Sequence, residues 1–179
     1  MSMTTAVTGT PGVGKTTVSK ILEKRGFEVL DLNEFIEDKD LLGNKDIERN
    51  TFEVDTVKLE KLFESEGLDV NVVEGHLSHY LNVDKTIVLR CAPDELKNRL
   101  YQKGWSESKI MENLEAEMLD TILIQAIDIN EDVYEIDTTS KAPKKIADEI
   151  ECILQDKIKD IEKYRPGSID WTDEFFEMR

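Results

Sequence analysis

Residues 9–16 read GTPGVGKT and fit the pattern G-x-x-x-x-G-K-[ST] at every fixed position. Glycines at 9, 12 and 14 let the backbone curl around an anion without Cβ clashes. Successive N–H groups and the start of the following helix then point at phosphate. In such a loop Lys15 reaches the β- and γ-phosphates, the Thr16 hydroxyl binds Mg²⁺, and Thr17 is placed for the α-phosphate. The bland alternative is a glycine-rich turn that happens to carry a lysine. The apolar strand before the motif and the helical pattern after it argue against that, so a nucleoside triphosphate with Mg²⁺ is the expected ligand.

A second chemical cluster is VVEGHLSH, residues 72–79, which contains the only two histidines in the chain. Glu74 closes an apolar run where a phosphate-loop protein needs an acid to hold Mg²⁺ or its water opposite Thr16. His76 follows on the loop facing the γ-phosphate, where an imidazole can orient an attacking water or hydroxyl or take its proton. Two other readings are a surface pair of histidines and an H-x-x-H metal site, the latter without a third ligand of suitable spacing. Only its proximity to His76 speaks for a role of His79. Asp31 ends another apolar run, with Asn33 just beyond; it either joins the Mg²⁺ shell or caps the helix that begins there.

The stretch CAPDELKNRLYQKGWSESK, residues 91–109, describes two helices joined by a very short cap. Arg99, Lys103 and Lys109 are its candidate cations for closing over phosphates, in that order of preference. Exposed helix faces often carry such residues for solubility alone. Residues 33–55 separate the second strand from the next helix and form the expected acceptor arm. It includes D-x-x-G (40–43) followed by Asn44-Lys45-Asp46, but Ile47 stands where a guanine-reading N-K-x-D needs its aspartate.

Five strand-like runs must carry these groups: 4–8, 27–31, 70–74, 86–90 and 133–137. Helical spacing lies between them: Val18, Ile21 and Leu22, then Val57, Leu59, Leu62 and Phe63. Pro93 with Asp94 and Glu95 opens a further helix. One stripe of Ile110, Leu114, Met118, Ile122 and Ala126 covers 107–129. A last helix from about Pro143 carries Ile146, Ile150, Ile153, Leu154, Ile158 and Ile161. Strands alternating with helices imply parallel pairing and right-handed crossovers, hence a three-layer α/β/α fold with ligands beyond the carboxyl ends of the strands.

The 179 residues suit one hydrophobic core, so a single domain is expected over 1–179. A net charge of −16 opposes sequence-independent binding to nucleic acid, which depends on Lys and Arg neutralising phosphates. A basic protein is the better macromolecular partner. No run approaches a membrane span and MSMTTAVTG lacks the features of a signal peptide, so a cytoplasmic protein is expected. Cys91 and Cys152, far apart, read as core residues rather than a disulfide or zinc pair.

TGTPGVGKTT, the acid with histidine two residues on, RLYQKGW as a minimal lid, and EIDTTSKAP after the last strand together resemble the adenylate kinase isoenzyme 6 family, the coilin-interacting nuclear ATPase group with its archaeal relatives. The resemblance covers roughly residues 4–155. It implies a P-loop nucleoside monophosphate kinase fold with a parallel five-stranded sheet of order 2-3-1-4-5, a lid at about 102–112 and a tail at about 164–179. The implied activity is phosphate transfer from ATP to AMP with Mg²⁺, beside a slow ATPase activity. A role in small ribosomal subunit maturation through a basic ribosomal protein is also implied. On this chain Gly12, Gly14, Lys15, Thr16 and Thr17 would hold ATP phosphates, Glu74 and His76 would take the family's acid and histidine places, Lys103 would be the lid cation and Lys141 would pack on adenine. Three departures stand out: Lys103 replaces an arginine, Glu74 an aspartate, and Glu37 the arginine expected for the AMP phosphate. AMP would then rely on Lys39, Arg49 or backbone groups. Beyond this core, Trp171, Phe175 and Phe176 either fold back on the domain or anchor a partner.

Overall fold

The computed structural model describes residues 3–46 and 51–177. The chain runs β1 (Thr5–Thr8), α1 (Lys15–Lys24), β2 (Val29–Asp31), α2 (Leu32–Asp38), β3 (Leu42–Asp46), β4 (Thr51–Val54), α3 (Thr56–Glu66), β5 (Val72–Glu74), β6 (Lys85–Arg90), α4 (Pro93–Gln102), α5 (Glu107–Met118), α6 (Thr121–Ile129), β7 (Val133–Asp137), α7 (Pro143–Leu154) and α8 (Thr172–Glu177). Five strands form one parallel sheet in the order β2-β5-β1-β6-β7. Counted among themselves, these strands have the expected order 2-3-1-4-5. The other two, β3 and β4, pair antiparallel as a separate two-stranded sheet within the segment expected as acceptor arm.

The central strands are buried along their whole length because both sheet faces are covered, which is why they read as continuous apolar runs. Side chains alternate between two layers. Val7, Val72, Ile87 and Leu89 face a core shared with Leu22, Leu96, Leu114 and Ile150 of α1, α4, α5 and α7. Val73 faces Leu32, Phe35, Leu59 and Phe63 of α2 and α3, and Val88 faces Leu123 and Ala126 of α6.

Two helical expectations are revised. The stripe across 107–129 is broken at Asp120, whose φ of 54° is left-handed, so α5 and α6 are separate helices. The Asp120 carboxylate accepts from Arg90 at 2.5 Å, a tertiary contact that helical spacing does not register. The last helix ends at Leu154, and Ile158 and Ile161 belong to an irregular segment after it. That segment leads to α8, where Trp171 and Phe175 pack against the main core. Fold-back is therefore the observed outcome for both. Arg49 and the Phe176 side chain lie outside the described residues.

Candidate active site

β1 delivers the chain directly into the glycine-rich loop, and α1 starts at Lys15. Gly9 has φ 134°, and a Cβ there would lie 2.4 Å from the Leu89 carbonyl oxygen, so only glycine lets the loop lie against β6. Gly14 precedes α1 at φ 111°, which turns the loop into the helix. Lys15 is buried and its Nζ donates to the carbonyls of Gly9 at 2.7 Å and Thr10 at 3.2 Å. Its ammonium is pushed down to about 8, by loss of hydration first; Glu74 opposes that shift and Lys103 adds to it.

The loop forms the floor of a cleft of about 540 Å³, into which Thr16 and Thr17 open. Glu74, at the end of β5, is 2 % exposed and lines the same cleft. Its carboxyl sits above the ordinary range because burial disfavours the charge. The Thr16 hydroxyl beside it acts the other way, and Asp31 reinforces the rise. A cation between Thr16 and Glu74 would offset that desolvation, so the donor set fits a hard, oxygen-loving ion. Among the described residues no three His, Cys, Asp or Glu side chains are grouped to hold a metal by themselves. Phosphate oxygens would have to complete the shell, which is how Mg²⁺ is usually held.

His76 also lines the cleft, at its edge. The residue as a whole is exposed to water. The imidazole sits below its ordinary value, from loss of hydration first and the Lys15 charge second, and is neutral at pH 7. His79 is not a surface partner to it: the ring is fully buried, with Nδ1 3.0 Å from Thr8 Oγ1. The same hydroxyl donates to the His76 carbonyl at 3.3 Å, which ties the loop bearing His76 to the end of β1.

Asp31 is paired in register with Glu74 but points elsewhere, accepting from the N–H groups of Asn33 at 2.9 Å and Glu34 at 3.3 Å as the cap of α2. Asn33 lines the cleft. In the segment expected as acceptor arm Glu34, Glu37, Asp38 and Asp40 are exposed, and Lys39 is held by Glu66 at 2.6 Å.

Lys103 lines the cleft from the end of α4, with its Nζ 6.0 Å from the centre of the Trp105 ring, whereas Lys109 lies over that ring at 4.2 Å. Arg99 also lines the cleft, but its guanidinium braces loops. It donates to Glu95 at 2.8 Å and to the carbonyls of Val13, Thr138 and Thr139 at 3.0–3.3 Å. Those bonds join the phosphate loop to the turn after β7. Across that turn Lys141, paired with Glu149 at 2.8 Å, shares the cleft wall with Pro143 and Ile146. Gln102 and Thr138 line the cleft too; the sequence carried no signal for them, because neither belongs to a motif with its own spacing.

The AAA domain family matches residues 6–120 of the chain. Archaeal proteins named "Putative adenylate kinase" match nearly end to end: that of Pyrococcus abyssi is 44 % identical over 98 % of this chain and 95 % of its own, and that of Thermococcus kodakarensis 41 % identical over 98 % and 97 %. The chain belongs to this archaeal family. The relative from Methanocaldococcus jannaschii is 41 % identical over 98 % of this chain and 96 % of its own. Shikimate kinase from Bacteroides thetaiotaomicron superposes with a TM-score of 0.54 over 86 % of this chain and 98 % of that one, at 17 % identity, which shows that the chain has the P-loop kinase fold.

Proposed function

We propose that this chain is an adenylate kinase, transferring the γ-phosphoryl group of ATP to AMP to give two molecules of ADP. The observation that carries the reading is the juxtaposition of a phosphate loop holding a buried Lys15, with Thr16 and Glu74 beside it, in a cleft that also reaches Lys103 and His76. The name carried by the full-length archaeal relatives supports AMP as the acceptor. One domain does the work, with residues 33–55 as acceptor arm and about 102–112 as lid.

The loop N–H groups, with Gly12 and Gly14 giving the backbone its close approach, cradle the phosphate chain of ATP. Lys15 leaves the Gly9 and Thr10 carbonyls for the β- and γ-oxygens, Thr17 holds the α-phosphate, and Lys103 closes from the lid. Arg99 keeps the phosphate loop and the turn near Lys141 in register, so that the base lies along Lys141, Pro143 and Ile146. Thr16 and Glu74 would hold Mg²⁺, which would supply charge neutralisation to the phosphate chain; Asp31 acts on that site through its charge on Glu74. In the transfer an AMP phosphate oxygen forms a bond to the γ-phosphorus as the bridging bond to the β-phosphate breaks. AMP is already deprotonated at pH 7, so His76 orients the acceptor without having to remove a proton. When water replaces AMP, a neutral His76 can accept its proton.

The acidic acceptor arm favours a second role. With Lys39 engaged by Glu66 and Glu37 exposed beside it, the described part of the arm offers AMP little positive charge. This supports slow ATP hydrolysis coupled to maturation of the small ribosomal subunit in the cytoplasm, the role that the resemblance to the adenylate kinase isoenzyme 6 group implies. The partner would be a basic ribosomal protein, drawn by the net charge of −16. ADP production from Mg-ATP with and without AMP, on wild type and Lys15→Ala together, tests the reading. A many-fold rise with AMP that Lys15→Ala abolishes is expected. Lys15-dependent hydrolysis indifferent to AMP would leave only the assembly role, and ADP production untouched by the mutation would remove both.

A further inference from the structure

Glu117, in the last turn of the lid helix α5, is 2 % exposed, and both of its carboxylate oxygens are engaged. One oxygen accepts from Arg90 Nε at 2.8 Å and from the Cys91 N–H at 3.0 Å; the other accepts from the Thr10 hydroxyl, inside the phosphate loop. Arg90, 1 % exposed, continues the chain of contacts. Its Nη1 donates to Glu135 at 2.5 Å, and the second Glu135 oxygen accepts from the N–H groups of Gly167 and Ser168, each at 3.1 Å. The segment that provides those N–H groups then enters α8, which packs on α5. The C-terminal strap thus meets the lid helix twice, once through the buried charges and once directly.

A buried ion cluster of this kind is seldom the most stabilising filling for a core; apolar residues of similar volume commonly do as well or better. What it provides is direction. Thr10 contributes one of the two carbonyls on which Lys15 rests, and its hydroxyl is fixed by Glu117. Glu117 does not line the cleft, so it meets no phosphate itself; it reaches the loop through the Thr10 hydroxyl and through its charge on Lys15.

We propose that Glu117 is a positioning residue for the phosphate loop, and that the C-terminal strap from 161 to 177 braces it through Glu135 and Arg90. The proposal rests on the reading of residues 9–16 as a nucleotide site. A shift of the loop by a fraction of an ångström misplaces several phosphate donors together, and errors of that size cost rate and affinity out of proportion to the bond lost.

Full-length variants decide it, with Mg-ATP binding by calorimetry and thermal unfolding measured on the same samples. Thr10→Val removes the hydroxyl and Thr10→Ser restores it. Thr10→Val is expected to weaken Mg-ATP binding about tenfold, and Thr10→Ser to bind within about twofold of wild type. Glu135→Gln, which touches nothing in the cleft, should weaken binding in the same direction because it loosens both Arg90 and the strap. Variants that melt earlier yet bind Mg-ATP like wild type would overturn the proposal and leave the cluster purely structural. Equal losses for Thr10→Ser and Thr10→Val would overturn it as well. A wild type that takes no Mg-ATP would instead bring down the nucleotide-site reading, and is recognised without any variant.

Discussion

Asp31 and Glu74 stand opposite each other in register at the carboxyl ends of adjacent parallel strands, yet one caps a helix and the other faces the phosphate loop. The division follows from what comes after each strand. β2 runs straight into α2, whose first N–H groups claim the nearest carboxylate, whereas β5 runs into Gly75 and a loop, leaving Glu74 turned toward Thr16.

Substitutions should separate the two acids. Glu74→Gln keeps the side-chain shape but loses the charge for Mg²⁺, and should lower turnover by about 100-fold or more with little change in melting temperature. Asp31→Ala should cost about 1 kcal/mol of stability through the lost cap and leave most of the turnover. Turnover against Mg²⁺ concentration, with thermal unfolding alongside, checks both. Equal turnover losses would place Asp31 in the metal shell after all.

Lys15 sets a pH limit. Its folded value of about 8 lies below the ordinary 10.5, so the ammonium is present below pH 8 and is lost as pH rises through it. Since only the charged form grips phosphate, Mg-ATP affinity should be level to about pH 7.5 and fall above pH 8. Lys15→Arg, whose charge does not titrate in this range, should show a weaker but level affinity across the same window. Wild-type affinity unchanged to pH 9.5 would contradict the assignment.

Arg99 is expected to act on binding more than on turnover, because its guanidinium is spent on the carbonyls of Val13, Thr138 and Thr139. Arg99→Lys loses the planar fork that spans two loops. Half-saturation by ATP should require several-fold more nucleotide, with about 1 kcal/mol of stability lost as the part-buried Thr138 and Thr139 carbonyls lose a donor. Turnover that drops by about two orders of magnitude while half-saturation stays put would show that Arg99 swings onto the transferring phosphate.

The half of the cleft built around the glycine loop was legible in the sequence because its residues are local. A strand, a glycine loop and a helix start are contiguous over residues 5–24, so spacing alone places Lys15, Thr16 and Thr17. Glu74 and His76 were readable for the same reason, as a strand end with its adjoining loop. Sheet order and layering followed from strands that alternate with amphipathic helices, since parallel pairing requires crossovers.

Contacts between distant segments escaped that reading. The Thr10 and Glu117 side chains meet across 107 positions of sequence, and Glu135 meets Ser168 across 33. Helical spacing shows which face a residue occupies, not which partner waits on the next layer. It therefore ran α5 and α6 together through Asp120, where a bond to Arg90 and a left-handed residue turn the chain. Nor does anything local report that three carbonyls converge on Arg99, which lines the cleft as a candidate cation. The sequence by itself determined which groups can hold a nucleotide and on which elements they ride. Only the packing of β6, β7, α5 and the C-terminal strap decided which charges face the cleft and which are consumed in holding it open, because that choice depends on pairings that close only when the whole sheet is assembled.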